Sequence, residues 1–246
     1  MNPPVTSAIL LAAGQGTRLR PYTNDTPKPL LPYRGQPALG WVLSSLHTAG
    51  VRRIVMVTGY KEEQVISFSA SFAETCPDLD IACVTQNTLS GTAPAVAIGL
   101  NHRPQWFDQS FLISATDYLA ANTLYCDFLD FHKTHEHPVS VSLKTLPEEE
   151  LAARSSVAFA RPESNDRVIT EIVEKPAPGS APSLYSANLL YVLPATIRDE
   201  VLKVTPSPRG ECEIQSAINV ILKAGASAKG LVQPTPEEWT PDLLQT

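Results

Sequence analysis

The first 137 residues alternate between short β-rich apolar runs and longer runs with helical spacing. This alternation constrains the fold more than any other feature. VTSAILLA (5–12), RRIVMVTG (52–59), LDIACVTQ (79–86) and SFLISATD (110–117) read as strands. ALGWVLSSLHTAG (38–50), KEEQVISFSASFAE (61–74), TAPAVAIGLNH (92–102) and TLYCDFLDFHKTHEH (123–137) read as helices. Strands separated by helices of this length pair in parallel, with the helices on the sheet faces. The expected class is α/β: a Rossmann-like, mixed, mostly parallel sheet flanked by helices. After residue 138 the rhythm changes. VSVSLKTL (139–146), SSVAFAR (155–161), VITEIVEK (168–175) and LYSANLLYVL (184–193) are strands with little helix between them, and helices follow near 194–203 and 211–224. APGSAP (177–182) reads as a loop. No repeat of 20–50 residues is present. The expectation is one domain over 1–246, with an α/β half to about 137 and a β-rich half from about 138.

Composition narrows the function classes. The formal net charge of -6 argues against nucleic acid or an acidic membrane surface as the main partner, while leaving room for a local basic pocket. No run approaches the roughly 18 apolar residues of a membrane span. The N-terminal run lacks the basic start and length of a signal peptide, so a cytoplasmic protein is expected. Cys76, Cys83, Cys126 and Cys212 lack zinc-site spacing, and a chain of this size needs no disulfide staples; they read as reduced and mostly buried. Three histidines crowd HKTHEH (132–137), but helical spacing scatters them, and they read as a solvated face rather than a metal site.

Ligands of open parallel sheets bind beyond the carboxyl ends of the strands. The loop after the first strand, LAAGQGTRLRPYTNDTPKPLL (11–31), is therefore the first place to look. Gly14 and Gly16 can take positive φ and let backbone N–H groups approach phosphate oxygens. Arg18 supplies a planar fork suited to phosphate. Lys28 stands between Pro27 and Pro29, which restrict its backbone. G-x-G alone marks no more than a surface turn, and this loop is not a Walker A sequence. Nor is it a dinucleotide fingerprint, because Leu19 stands where the third glycine belongs. Taken whole, the stretch has the parts of a polyphosphate cradle.

LAAGQGTRLRP followed by TPKPLLP resembles the signature of the sugar-1-phosphate nucleotidyltransferases. Later stretches resemble that family in order: TQNTLSGTAPAVAIGL (85–100), SATDYL (114–119), ITEIVEKP (169–176), YSANLLYVL (185–193) and GECEIQSAINVIL (210–222). The resemblance implies transfer of a nucleoside monophosphate from a nucleoside triphosphate to a phosphorylated acceptor, with release of pyrophosphate. It implies a nucleotide-binding half at about 1–137 and an acceptor-binding half at about 138–246. The loop Leu11, Ala12, Ala13, Gly14, Gly16 and Thr17 would hold the nucleotide, Arg18 the departing pyrophosphate, and Lys28 the phosphates in the transition state. Gln86, Gly91 and Thr92 would lie at the base. Asp117 would bind Mg2+, a hard ion suited to carboxylate and phosphate oxygens. Glu174, Lys175, Tyr185 and Asn188 would serve the acceptor, Lys175 holding its phosphate. Ala12-Ala13-Gly14 leans toward a pyrimidine triphosphate. The partners implied are a nucleoside triphosphate and a small phosphorylated acceptor, with a homo-oligomer left open.

Plainer readings stand beside these roles. Asp117 also suits a cap, Glu174-Lys175 a solvated ion pair, Gln86 a surface polar residue, and Gly91-Thr92 a helix start.

Three departures bear on the acceptor and the metal. Thr116 replaces the glycine before the metal aspartate, and Leu189 replaces a glycine at the acceptor. Val232 falls where a late second aspartate belongs; Glu237, Glu238 and Asp242 are the nearby carboxylates. Two readings follow. One is an active transferase with an unusual acceptor: a sugar phosphate, or a phosphocholine-like or phosphonate compound. The other is a catalytically impaired relative that binds nucleotide or sugar nucleotide as a regulator or partner.

Overall fold

The computed structural model describes residues 1–116, 118 and 123–234. The elements in chain order are β1 (Ser7–Leu11), β2 (Pro32–Tyr33), β3 (Gln36–Pro37), α1 (Ala38–Thr48), β4 (Arg53–Thr58), α2 (Glu62–Thr75), β5 (Asp80–Thr85), α3 (Thr92–His102), β6 (Phe111–Ala115), α4 (Leu124–Thr134) and β7 (Val139–Thr145). They continue with α5 (Glu148–Leu151), β8 (Ser155–Phe159), β9 (Val168–Glu174), β10 (Tyr185–Leu193), α6 (Ile197–Val201), α7 (Ile214–Lys223) and β11 (Ala228–Val232). Among the described residues, nine strands form one sheet in the order β5-β4-β1-β6-β10-β7-β11-β9-β8. β10 and β9 run against the other seven. This is the expected mixed, mostly parallel α/β sheet. β10 from late in the chain inserts between β6 and β7, so the sheet runs unbroken across residue 138.

The apolar strands are apolar on both sides because both faces are covered. In β1, Ala8 and Leu10 enter one core while Ile9 enters the other. The first core takes Leu39, Leu43 and Leu46 of α1, Val65 of α2 and Phe128 of α4. The second takes Val96 and Leu100 of α3, Ile197 of α6, and Ile214 and Ile218 of α7. Each strand's alternation thus feeds two helical layers, one on each side.

Several expectations need correction. β11 was not legible: AKGLV carries a lysine and a glycine and has no strand period. It is a strand because its backbone pairs with β7 in parallel and with β9 in antiparallel fashion. Leu143 fills the space a side chain at Gly230 would need. The helix expected to 137 stops at Thr134. Its histidines are not a solvated face. Leu124, Tyr125, Phe128 and Leu129 form the buried stripe of α4, and His132 takes its last core-facing position with no exposure. His135 is also buried. Ser140 of β7 serves both rings, bonding His132 Nδ1 at 2.8 Å and His135 Nε2 at 3.2 Å. The four cysteines are free, but only Cys212 is buried; Cys76, Cys83 and Cys126 are half-buried. No helix among the described residues is long and apolar enough to cross a membrane.

Candidate active site

A cleft of about 610 Å³ opens beyond the carboxyl ends of β1 and β6, where Leu11, Ala115 and Thr116 line it. The loop after β1 forms one wall. Ala12 extends the strand through its N–H to Val57 O at 2.8 Å, and Ala13 O accepts from Tyr60 N–H at 3.2 Å. Gly16 then turns the chain with φ 61° and ψ 33°, opening a short 3-10 turn at Thr17–Leu19 that carries Arg18. A side chain at Gly16 would press within 2.9 Å of Thr23 Cγ2. Thr23 is fully buried, and its hydroxyl donates to Gly16 O at 2.9 Å. Gly14 is not in the positive-φ region, contrary to expectation. Nothing lies within 4 Å of where its Cβ would stand, so what it leaves is open space in the cleft.

The loop is tied down from outside. Tyr60 Oη donates to Thr23 O at 2.8 Å, and Gln64 Nε2 donates to Asp25 O at 3.0 Å. Pro27, Lys28 and buried Pro29 enter a second 3-10 turn, which sets Lys28 on the cleft. Arg18 and Lys28 therefore face the cleft from a braced segment.

The opposite wall comes from the second half of the chain. β10 bulges between Ala187 and Tyr191, which lets both Asn188 and Leu189 line the cleft. Asn188 Nδ2 donates to Ser142 Oγ at 3.1 Å, and Tyr118 Oη lies 3.0 Å from that hydroxyl. Burial raises the Tyr118 phenol well above its ordinary value, partly offset by Ser142 and Asn188. Lys144, 8% exposed, lies two residues beyond Ser142 on the same face of β7. Arg154 precedes β8, which is fastened here by Ser155: its hydroxyl donates to Ala187 O and accepts from Ala187 N–H, both at 3.0 Å. The described lining thus holds four cations, Arg18, Lys28, Lys144 and Arg154, and no carboxylate.

Of the expected site residues, Leu11, Ala12, Gly14, Gly16, Thr17, Arg18, Lys28 and Asn188 meet in this cleft. Others serve the frame around it. Gln86 is buried and donates from Nε2 to Gly91 O at 3.2 Å. Thr92 Oγ1 accepts from Ile214 N–H at 2.9 Å, joining α3 to α7. Tyr185 lies edge-on to Phe159, with the Arg167 guanidinium 5.4 Å from its ring centre. Glu174 is outside the lining; burial, then the charge of Glu213, raises its pKa. Lys175 is exposed, and its N–H bonds Arg154 O at 2.6 Å. Asp117 lies outside the described residues, as do Glu237, Glu238 and Asp242.

The departures acquire physical content. The Thr116 hydroxyl donates to Leu11 O at 3.4 Å, tying the ends of β6 and β1. Leu189 fills part of the cleft. Val232 is half-buried, pairs with Leu143 of β7, packs against the second core and does not line the cleft. Sequence reading missed Tyr118, Lys144 and Arg154. One signal was available for Lys144: VSVSLKTL puts Ser140, Ser142 and Lys144 on one face of an otherwise apolar strand.

Comparison with known proteins bears on this arrangement. The family model described as nucleotidyl transferase matches residues 7–239. The UTP–glucose-1-phosphate uridylyltransferase AglF of Haloferax volcanii is 30% identical, over 89% of this chain and 84% of its own. Mannose-1-phosphate guanylyltransferase 1 of Arabidopsis thaliana is 28% identical, over 79% of this chain and 51% of its own. The chain spans about half of that relative and 47% of the bifunctional protein GlmU of Methanococcus maripaludis, which is 29% identical. Among solved structures, a UDP-glucose pyrophosphorylase complexed with UDP-glucose aligns with TM-score 0.78 at 19% identity, over 92% of this chain and 90% of its own. A putative glucose-1-phosphate thymidylyltransferase from Bacillus anthracis gives 0.77 at 23% identity, over 97% and 92%. At these identities the structural likeness shows the fold.

Proposed function

The chain belongs to the nucleotidyl transferase family, and from that premise we propose that it joins a nucleoside monophosphate to a sugar 1-phosphate or similar phosphorylated acceptor. An oxygen of the acceptor phosphate attacks the α-phosphorus of a nucleoside triphosphate. The bond from the α-phosphorus to the bridging oxygen breaks, and pyrophosphate leaves. The observation that carries this reading is the cleft itself: a braced glycine loop brings Arg18 and Lys28 to the carboxyl ends of β1 and β6. Such a reaction needs positioning and neutralisation of phosphate charge more than covalent help. Arg18 and Lys28 take the negative charge of the leaving pyrophosphate. The open space at Gly14 admits the nucleotide, and Tyr118, Ser142 and Asn188 set the shape of the acceptor end.

The nucleotide we place first is UTP. Ala12-Ala13-Gly14 and the name of the Haloferax relative support a pyrimidine; the Arabidopsis relative is named for guanylyl transfer. Mg2+ on Asp117 remains part of the proposal. The described residues alone do not cage a metal, since they contain no group of three His, Cys, Asp or Glu able to hold one. A cytoplasmic location is likewise proposed, and so is the division of labour between the two halves at about residue 138.

The test is pyrophosphate release from UTP, CTP, dTTP, GTP and ATP, with Mg2+ present. The acceptor panel is sugar 1-phosphates, phosphocholine and small phosphonates. Release with one pair names base and acceptor together. Silence across the panel with nucleotide binding retained overturns the transferase and leaves the nucleotide-binding regulator.

A further inference from the structure

We infer that Lys144 and Arg154 form the clamp for the acceptor's phosphate, in place of the Lys175 that follows Glu174. The inference rests on the transferase reading above. An in-line displacement puts the attacking phosphate and the departing pyrophosphate on opposite sides of the α-phosphorus. Both carry negative charge, so cations are needed at both ends. The cleft has two such pairs on separate parts of the sheet. Arg18 and Lys28 belong to the loop after β1, whereas Lys144 lies near the end of β7 and Arg154 beside β10.

The topology sets the spacing. β6 and β10 stand between β1 and β7, so three strand steps of about 4.8 Å separate them, roughly 14 Å in all. β7 points the same way as β1, because each is antiparallel or parallel in turn to the strands between. Lys144, next to last in β7, therefore meets the loop after β1 across one cleft. Arg154 is held to that wall by the paired bonds of Ser155 with Ala187. A guanidinium fork and an ammonium lining one cleft together suit a phosphate dianion.

Lys175 is placed differently. Its backbone is left-handed, with φ 47°, and its N–H is bound to Arg154 O. The residue is exposed and does not line the cleft. Its main chain helps to hold Arg154 while its own side chain lies outside.

The test titrates glucose 1-phosphate, inorganic phosphate and UTP calorimetrically into the full chain and into Lys144→Met, Arg154→Met and Lys175→Met. Lys144→Met and Arg154→Met are each expected to weaken glucose 1-phosphate at least tenfold and UTP less than threefold. Lys144→Arg is expected to recover most of the loss. Three results would overturn the clamp: UTP weakened in step with glucose 1-phosphate, the loss confined to Lys175→Met, or no binding of glucose 1-phosphate or inorganic phosphate by the unaltered chain. Melting curves check folding; should Lys144→Met not fold, Arg154→Met, outside any strand, carries the test. Turnover separates the two ideas. Phosphate binding that behaves as expected without pyrophosphate release removes the reaction and keeps the clamp. Release with unchanged acceptor KM in both variants removes the clamp and keeps the reaction.

Discussion

Gly91 lies directly against the backbone of Cys212, so closely that a Cβ at Gly91 would overlap the Cys212 carbonyl. The two segments are stitched together. Ala93 N–H donates to Cys212 O at 3.0 Å, and Cys212 N–H donates to Ser90 O at 2.8 Å. Gly91 has φ 126° and ψ -178°, a conformation close to glycine-only. Gly91→Ala is therefore expected to cost about 2–4 kcal/mol, the sum of overpacking and backbone strain. For a chain of this size that lowers the melting temperature by roughly 5–15 °C. A melting temperature within 2 °C of the unaltered protein would remove this account.

Arg18 and Lys28 are assigned to charge that develops on pyrophosphate. Truncating either to Met is expected to lower kcat/KM by about 10²–10³-fold, the usual scale for losing a preorganised electrostatic partner. Melting temperatures should hardly move, since Arg18 is exposed and Lys28 lies at the cleft. Steady-state pyrophosphate release at saturating acceptor checks this. A loss seen only as a raised acceptor KM, read with the acceptor varied at saturating nucleotide, would transfer both residues to the other substrate.

The buried pair His132 and His135 makes stability fall in mild acid. Burial, then the neighbouring histidine rings, depresses both to about 4; Lys229 and the N-terminal amino group add to this at His135. An unfolded histidine titrates near 6.5, so between about pH 6.5 and 4 the unfolded chain takes up protons that the folded chain refuses. The contribution is full above about pH 6.5 and is lost as pH falls toward 4. For His132 alone this is about 3 kcal/mol. Urea unfolding at pH 7 and 4.5 should show the loss, and His132→Asn should flatten it.

Val232→Asp tests where the late strand runs. Alignment by motif puts this residue at a metal site, whereas in the structure it pairs with Leu143 of β7 and packs against the second core. An aspartate at this half-buried position is expected to cost about 1–3 kcal/mol through partial burial of an unpaired polar group. It should give no gain in turnover when Mg2+ is varied. A gain in metal-dependent activity without loss of stability would place residue 232 at the site after all.

The order of elements was legible because each element carries its own local signal. The strand at 7–11 and the helix at 38–48 were readable from apolar period and flanking glycine or proline. The glycine loop was legible as well, since Gly16, Arg18 and Lys28 act within one continuous segment. β11 escaped because its period is broken at Lys229 and Gly230 and its pairing partners are distant in sequence. The histidines were misread for a related reason. Helical spacing separates them along the chain, but Ser140 of another strand brings His132 and His135 together.

What the sequence determined by itself is the α/β class, the family, and the glycine loop that walls the cleft, all of which depend on neighbouring residues. The tertiary structure decided the rest of the site. It put Lys144, Arg154 and Tyr118 into the cleft with Asn188, while Gln86, Gly91 and Thr92 became joints between α3, α7 and the sheet. The physical reason is sheet order. β10 pairs with β6 and β7, and no local pattern in YSANLLYVL announces which strands will flank it.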